Sequence, residues 1–231
     1  MTLKLGVPSK GRLMDDTFAW FGERGVKLGL SGGAREYAGR VEGADRVELV
    51  LLAAVEIPRE LAAGRIHVGV TGIDMARERL ARWDRQVAEV QRLGFGEAEL
   101  VIAVPDFWVD VTTLDDLDQV ATAFRALHGH RLRIATKYHR LVRGFLRDNE
   151  VSDYQLVDSQ GATEGTVKNR QAEAIADIRT SGATLRDNHL RVLEDGRILS
   201  SEATLFETRA SVWDGGARET WGGLQSRLGL A

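Results

Sequence analysis

The amino-acid sequence predicts an α/β protein. Short apolar runs of strand length alternate with segments in which apolar residues recur at helical spacing. The 25 glycines, against 3 prolines, supply many tight turns between these segments. The chain has 231 residues, of which 43% are hydrophobic. That length allows one large domain or two small ones with a substantial core.

In the N-terminal part of the sequence, apolar runs alternate with helical periodicity. The predicted strands are residues 3–7, 47–52 and 66–70. The predicted helices are residues 12–23, 56–63 and 73–81. Gly64 is expected to end the second of these helices, since glycine readily adopts the left-handed conformation found there.

Predicted strands and helices also alternate in the C-terminal part of the sequence. Its predicted strands are residues 99–104, 132–135, 155–157 and 174–178, and its predicted helices are residues 114–124, 137–149 and 215–228. Residues 191–193 and 198–206 are predicted to form antiparallel strands around a turn at Asp195-Gly196.

The glycine-flanked stretch Gly94–Glu97 is the predicted domain break. We expect residues 1–96 to form lobe I, residues 97–195 to form lobe II, and residues 196–231 to return to lobe I. Two α/β lobes enclose a central cleft in many proteins, and ligands commonly bind in such clefts.

Charge and composition exclude several classes of protein. The 31 Lys and Arg residues nearly balance 34 Asp and Glu residues, giving a net charge of −3, which argues against a broad basic face for nucleic acid. The absence of Cys excludes disulfides, thiolate metal sites and Cys nucleophiles, and fits a reducing compartment. We find neither a signal-peptide pattern nor an apolar run of about 18 residues, so a cytoplasmic, globular protein is expected.

The most informative segment, Glu173–Leu185, has an apolar strand that ends in Asp177. The residues that follow are small or carry hydroxyls: Thr180, Ser181, Gly182, Ala183 and Thr184. Such a loop can cradle a monophosphate, because glycine lets the backbone approach an anion and a following helix start presents free N–H groups. Asp177 could then hold sugar hydroxyls. The alternative is an ordinary polar helix cap after a strand-end Asp.

A second candidate segment is Lys10-Gly11-Arg12, at the predicted carboxyl end of the first strand. Lys10 and Arg12 could both reach polyphosphate oxygens, Arg12 in a two-pronged manner. A solvated loop is the commoner structure for such a tripeptide.

Two carboxylates follow other predicted strands. Asp74 lies in the first turn of a predicted helix after Thr71-Gly72, where it would either complement the helix dipole or contact a ligand or metal. Glu164 lies in the loop Ser159–Gly165, where the simpler interpretation has Thr163 cap a helix that carries Glu164 in its first turn.

Other residues give weaker indications. The five His residues (His67, His128, His130, His139 and His189) show no metal-ligand spacing. The sequence contains no Walker A loop, dinucleotide-binding glycine fingerprint or Ser nucleophile elbow. Trp213 and Trp221 are expected in the core or in a subunit contact.

Taken in order, five motifs resemble the ATP phosphoribosyltransferase family: "PSKGRL", "GRIHVGVTGIDM", "LRIATKY", "GATEG" and "AIADIRTSGATLRDNHL". The similarity runs from about Leu3 to Phe206. It implies two α/β lobes that resemble type II periplasmic binding proteins and close over the active site.

The resemblance also implies a reaction. ATP and 5-phosphoribosyl 1-pyrophosphate (PRPP) would give N1-(5-phosphoribosyl)-ATP and pyrophosphate, with Mg²⁺ required and its ligands unassigned. The loop from Thr180 to Thr184 would hold the 5-phosphate, Asp177 the ribose hydroxyls, and Lys10 and Arg12 the nucleotide and pyrophosphate oxygens. Asp74 and Glu164 match family positions near the substrates.

Two positions depart from related patterns. Many phosphoribosyltransferases have paired acids before the phosphate loop, whereas Ala176 precedes Asp177 here. Many members of the resembled family carry an Arg just before the "IP" pair, where this sequence has Ala53. Arg35 or Arg12 could supply the missing cation.

The length resembles the short form of the family, which lacks a C-terminal histidine-binding domain. This form works with a regulatory subunit similar to histidyl-tRNA synthetase, and we expect self-dimerisation as well, without nucleic-acid or membrane partners. The alternatives are a non-catalytic two-lobed binding module and a phosphoribosyltransferase with another acceptor base.

Overall fold

The computed structural model describes residues 2–30, 38–44, 46–159 and 161–230. The chain divides into two compact units. Unit 1 comprises Met1–Gly96 and Glu202–Ala231, and unit 2 comprises Glu97–Ser201. None of the helices in these described ranges is long and apolar enough to cross a membrane.

Unit 1 is built on one mixed sheet whose strands lie in the order β2-β3-β4-β1-β5-β12-β6. The strands are β1 (Leu3–Pro8), β2 (Leu28–Leu30), β3 (Ala38–Val41), β4 (Val47–Leu52), β5 (Val68–Gly72), β6 (Val87–Arg92) and β12 (Ala203–Thr208). The helices are α1 (Arg12–Glu23), α2 (Ile57–Ala62), α3 (Ile73–Arg79), α4 (Trp83–Gln86) and α9 (Gly215–Leu228). Strand β1 is parallel to both of its neighbours, β4 and β5.

Apolar residues of β1 and α1 explain the position of the first helix. Strand β1 buries Leu3, Leu5 and Val7 completely, as expected for a central strand in which Lys4 is the one charged residue. Helix α1 buries Phe21 against the same core, while Phe18 packs there partly exposed. The start of α1 is therefore fixed at the carboxyl end of β1.

Unit 2 has a five-stranded sheet in the order β11-β7-β10-β8-β9. Its strands are β7 (Ala98–Pro105), β8 (Leu132–Thr136), β9 (Tyr154–Asp158), β10 (Ala174–Arg179) and β11 (Leu190–Ser201). Its helices are α5 (Leu114–His128), α6 (His139–Asp148), α7 (Gly165–Lys168) and α8 (Ala183–Asp187). Strands β8, β9 and β10 are parallel, so their carboxyl ends share one edge of the sheet. Strand β7 runs antiparallel to β10.

The predicted turn at Asp195-Gly196 is wrong. Strand β11 continues through this point along β7, with irregular register between Val192 and Leu199. The bulge has a structural use, because Asp195 Oδ1 accepts the Leu114 N–H at the start of α5 at 2.9 Å. The chain therefore returns to unit 1 at Glu202, six residues later than the expected position 196.

Most other predicted elements are present. The bounds predicted for α1, β4 and α9 are those observed, and the α/β fold class is confirmed. The strand predicted over residues 66–70 instead covers Val68–Gly72. The short elements β2, β3, β6 and α4 were not predicted, whereas helices were expected near both α7 and α8.

Candidate functional site

The loop between β10 and α8 borders a cavity of about 230 Å³ within unit 2. The cavity is lined by Glu164, Ile175, Asp177, Ile178, Arg179, Thr180, Ser181, Gly182, Thr184 and Leu185. The structure thus brings together two carboxylates and the loop residues that the sequence marked separately. Ala183 begins α8 and is exposed beside them.

Asp177 lies near the carboxyl end of β10. The neighbouring Ala176 is buried, whereas Asp177 is half-buried and lines the cavity. Its Oδ1 accepts the backbone N–H of Ile178 at 2.8 Å, which helps to orient the carboxylate. Asp177 can therefore offer a negative charge to a ligand without belonging to the apolar core.

Gly182 gives the loop its shape. It has φ 72° and ψ 3°, a left-handed conformation that glycine adopts at little cost. A Cβ at this position would lie 3.4 Å from Arg186 Nη1 and 4.0 Å from Arg179 Nη1. The loop backbone is thus flanked by two guanidinium groups.

The hydroxyls of this loop do not cap α8. Gly182 occupies the N-cap position, and no side chain there makes a capping hydrogen bond. Ser181 Oγ lies 3.4 Å from the Ala183 N–H, a long contact, and Thr180, Ser181 and Thr184 are exposed. Ser181 thus makes one long hydrogen bond to the first residue of α8, while the N-cap position itself is a glycine. Because α8 has only five residues, its dipole adds little positive field at the loop.

Arg179 is a cation that the sequence analysis did not single out. Its Nη2 and Nε donate to Glu99 Oε2 at 2.7 and 3.0 Å, and Arg197 Nη1 lies 3.3 Å from Glu99 Oε1. Hydrogen bonds first from Arg179 and then from Arg197 lower the pKa of Glu99 below its usual value. Arg179 and Glu99 are 80 residues apart in sequence, so only the pairing of β10 with β7 reveals this contact.

Glu164 lines the cavity from the loop between β9 and α7. The predicted cap by Thr163 is wrong, because Glu164 is the N-cap of α7 and no side chain caps this helix. Thr163 is buried instead, with its hydroxyl 2.9 Å from that of Ser159. Gln160, within the same predicted loop, lies outside the described residues.

Lys10, Gly11 and Arg12 lie in unit 1 at the start of α1, and all three are exposed. Gly11 has φ 72° and ψ −177°, a backbone conformation essentially restricted to glycine. Arg12 Nε lies 3.4 Å from Asp16 Oδ2, one helical turn away. Arg35, considered as a replacement cation, lies outside the described residues.

Asp74 lies in the first turn of α3 and is 8% exposed. The preceding Thr71 is also buried, and its hydroxyl donates to the Ala54 carbonyl at 2.9 Å. Ala53, where many family members carry Arg, donates its N–H to Glu56 Oε2 at 3.2 Å. These hydrogen bonds order the segment before α2 and join it to the end of β5.

The two C-terminal tryptophans belong to the interior of unit 1. Trp221 is 3% exposed and donates its indole N–H to Glu207 Oε2 at 3.0 Å. Trp213 is half-buried and donates to the Thr208 carbonyl at 3.0 Å. Their positions agree with the core alternative.

Two carboxylates that line the cavity could serve as oxygen ligands for a magnesium ion. Within the described ranges, no group of three or more His, Asp or Glu residues forms a metal cluster. Protein-bound Mg²⁺ is commonly held by one or two carboxylates together with substrate phosphates and water. Asp177 and Glu164, which line one cavity, fit that donor set.

Sequence comparison identifies related proteins. The family model described as HisG: ATP phosphoribosyltransferase matches residues 53–228. An ATP phosphoribosyltransferase from Cereibacter sphaeroides is 66% identical over 230 residues, covering 100% of this chain and 97% of the relative. Another from Bradyrhizobium diazoefficiens is 50% identical over 216 residues, covering 94% of this chain and 66% of the relative. The chain thus spans nearly all of the first relative and about two thirds of the second.

Solved structures share the fold. An ATP phosphoribosyl transferase (HisG:HisZ) complex from Thermotoga maritima has a chain that matches with a TM-score of 0.72 at 18% identity, covering 99% of this chain and 97% of that chain. A putative periplasmic sulfonate-binding protein from Methylobacillus flagellatus matches with a TM-score of 0.55 at 13% identity, covering 99% and 67%. These likenesses confirm the predicted similarity in fold to periplasmic binding proteins.

Proposed function

The chain belongs to the ATP phosphoribosyltransferase family, and we propose that its β10–α8 cavity holds the phosphoribosyl group of the substrate. The enzyme is a pentosyltransferase that catalyses the first step of histidine biosynthesis. In this step ATP and PRPP give N1-(5-phosphoribosyl)-ATP and pyrophosphate. The observation that carries the assignment of the cavity is the convergence of Asp177, Glu164 and the 180–184 loop around it.

The loop has the properties needed for the 5-phosphate. Exposed hydroxyls on Thr180, Ser181 and Thr184 can donate to phosphate oxygens, and Gly182 allows the backbone to approach closely. Arg186 adds positive charge beside this glycine. The remaining loop residue, Ala183, would contribute its backbone.

Asp177 would act on the ribose. Its carboxylate can accept hydrogen bonds from sugar hydroxyls, which places the ring next to a negative charge. Displacement at the anomeric carbon develops oxocarbenium character, and a fixed carboxylate near the ring stabilises that charge. Asp177 is therefore the proposed catalytic residue of unit 2, and the second cavity carboxylate, Glu164, is a substrate-binding residue.

No protein group need remove a proton from the attacking nitrogen, because adenine N1 already carries a lone pair. Catalysis then depends on positioning of the two substrates and on stabilisation of the leaving pyrophosphate. Lys10 and Arg12 supply exposed cations for nucleotide and pyrophosphate oxygens, Arg12 serving catalysis and Lys10 binding. Gly11 lets the backbone between them approach, and Asp74 is assigned to substrate binding.

Magnesium is the proposed cofactor, with Asp177 and Glu164 as the residues that would hold it. When bound, Mg²⁺ would neutralise part of the charge on the pyrophosphate. The half-buried positions of both carboxylates leave them accessible to an ion carried by the substrate.

We also propose a regulatory partner that resembles histidyl-tRNA synthetase, together with self-association of the catalytic chain. The similar chain from Thermotoga maritima belongs to a HisG:HisZ complex, and this suggests the partner. A cytoplasmic location is proposed because the cysteine-free sequence fits a reducing compartment. Size measurement of the purified chain at micromolar concentration tests self-association, and a monomer would contradict it.

An activity assay tests the proposed substrates and site together. The chain is incubated with ATP, PRPP and Mg²⁺, and pyrophosphatase is added to draw the reaction forward. We expect phosphoribosyl-ATP to form, and a regulatory partner to alter its rate. No product with or without the partner would contradict the proposal, whereas product from another base but not from ATP would indicate a different acceptor.

A further inference from the structure

We infer that Glu99 is a positioning residue, which turns Arg179 so that its Nη1 binds the substrate phosphate at the 180–184 loop. This inference rests on the proposed function of the cavity. It adds one binding residue, Arg179, and one residue that acts through it, Glu99.

The orientation of Arg179 follows from its hydrogen bonds. Nε and Nη2 both donate to Glu99 Oε2, at 3.0 and 2.7 Å. A guanidinium group is planar, so fixing two of its nitrogens also fixes the direction of the third. That third nitrogen, Nη1, lies 4.0 Å from the position a Cβ would occupy at Gly182.

Glu99 is held from its other side as well. It lies directly opposite Arg179 across the antiparallel pair of β10 and β7. Arg197, on the third strand β11, approaches Glu99 Oε1 at 3.3 Å. Each carboxylate oxygen therefore faces a different arginine, so the carboxylate cannot turn without breaking a contact.

The charges favour an anion at the loop. The negative charge of Glu99 neutralises the positive charge of one of its two arginine partners, so one positive charge remains. Arg186 adds a further guanidinium, whose Nη1 lies 3.4 Å from the position that a Cβ would occupy at Gly182. Hydrogen bonds, first from Arg179 and then from Arg197, lower the pKa of Glu99 and so favour its charged form. Arg179 and Arg186 thus present Nη1 atoms at one glycine, which suits a doubly charged phosphate.

A purely structural ion pair is the competing interpretation. Cross-strand pairs of opposite charge commonly add a little to sheet stability. Such a pair would matter for unfolding and leave substrate affinity unchanged. Arg179, however, lines the cavity, so the inference predicts an effect on the Michaelis constant for PRPP.

The test compares steady-state kinetics of Arg179→Gln and Glu99→Gln with the parent enzyme. We expect Arg179→Gln to raise KM for PRPP by about tenfold, as expected for losing one charge-assisted contact. Glu99→Gln should raise it by roughly threefold, since Arg179 remains but is less firmly oriented. In both variants KM for ATP at saturating PRPP should change by less than about twofold.

Two further variants separate positioning from folding. Arg179→Lys keeps the charge but loses the planar geometry, and should recover only part of the affinity. The double variant Glu99→Gln/Arg179→Gln should bind PRPP no more weakly than Arg179→Gln alone, because Glu99 acts through Arg179. Arg125→Ala is the matched control, since it removes another arginine–carboxylate pair of unit 2, with Asp153.

An unchanged KM for PRPP in both Arg179→Gln and Glu99→Gln, with lowered thermal stability, would overturn the inference and leave a structural ion pair. Asp177→Ala distinguishes this outcome from failure of the proposed function. If Asp177→Ala loses activity while Arg179→Gln retains normal KM, only the positioning inference fails. If Asp177→Ala also keeps normal activity, the assignment of the cavity itself fails.

Discussion

Two loops of this enzyme have a similar backbone arrangement but different neighbouring side chains. The loop after β1 and the loop after β10 each have a glycine with φ 72° at the N-cap of the following helix. No atom lies within 4 Å of a Cβ built on Gly11, among the residues the structure describes, whereas two guanidinium groups approach the same position on Gly182.

The difference comes from neighbouring strands. Strand β10 lies between β7 and β8, and β7 contributes Glu99, which orients Arg179 beside the loop. At β1, the Ser9 N–H donates to the Leu52 carbonyl of β4, and Arg12 pairs along its own helix with Asp16. A strand–glycine–helix pattern therefore sets the backbone, while adjacent strands decide whether a charged cavity forms.

Asp177→Ala tests the β10 side of this comparison and should have the largest effect. Removing a carboxylate that stabilises the transition state should lower kcat at least about tenfold, equivalent to about 1.4 kcal/mol. Steady-state kinetics at saturating ATP and PRPP measure this loss. Asp110→Ala, an exposed carboxylate of the same unit, is the control and should retain full activity. Unchanged turnover in Asp177→Ala would refute its role.

Substituting the two glycines should separate stability from binding. Gly11→Ala should lower the free energy of unfolding by about 1 to 3 kcal/mol, because its φ and ψ values are essentially restricted to glycine. Gly182→Ala should cost about 1 kcal/mol, since the left-handed region is more accessible to alanine. Denaturant unfolding compares the two variants.

Gly182→Ala should also raise KM for PRPP several-fold, as the new methyl group meets Arg186 Nη1 at 3.4 Å and occupies space beside the phosphate loop. Steady-state kinetics with varied PRPP measure this change. Equal stability losses in both variants, with an unchanged KM for PRPP in Gly182→Ala, would remove the contrast between the loops.

The exposed cations of the β1 loop should contribute less than the β10 loop. Lys10→Ala and Arg12→Ala should each lower kcat/KM by roughly two- to fivefold at low salt, because exposed charges are screened by water and ions. The effect should shrink further at about 0.5 M salt. Rates measured across a salt series check this, and a loss larger than that of Asp177→Ala would reverse the comparison.

The two units should also respond differently to acid. His67 of unit 1 is 5% exposed, and its Nδ1 accepts the Lys4 N–H at 3.0 Å. Burial is the main cause that lowers the pKa of His67. Below about pH 6.5 the unfolded chain binds a proton that the folded chain resists, so stability falls as pH drops through the lowered pKa.

In unit 2, the pKa of Asp116 is lowered to about 2, chiefly by the backbone N–H groups of Thr112 and Thr113. The stability that Asp116 contributes is present above its unfolded pKa, near 4, and is lost as pH falls toward 2.

His67→Gln should flatten the decline in Tm between about pH 7 and 5, because the variant lacks the buried imidazole that resists protonation in the folded chain. An identical decline in the parent chain and in His67→Gln would contradict this account.

Local sequence patterns were sufficient for most of the fold. The buried run of β1 and the amphipathic spacing of α1 place both elements, because each depends on nearby residues. The continuous β11 was missed, since Asp195-Gly196 has the composition of a turn but lies within β11, where the pairing with β7 shifts register between Val192 and Arg197. Tertiary contacts decided the outcome at that position.

The candidate site was predicted most fully where its residues are consecutive, although Glu164 was also singled out from its own loop. The segment from Asp177 to Thr184 stands out in sequence because the strand, acid and loop follow one another. The contact between Arg179 and Glu99 depends on the register of β10 against β7, which sequence periodicity does not specify. Thr163 has the composition of a helix cap, yet it pairs with Ser159 in the interior.

A crystal structure of the chain with PRPP and Mg²⁺ tests the central claim most directly. The account predicts that the 5-phosphate lies at the 180–184 loop, with Asp177 within hydrogen-bonding distance of a ribose hydroxyl. Well-ordered PRPP with its 5-phosphate elsewhere in the protein would contradict the assignment of the cavity.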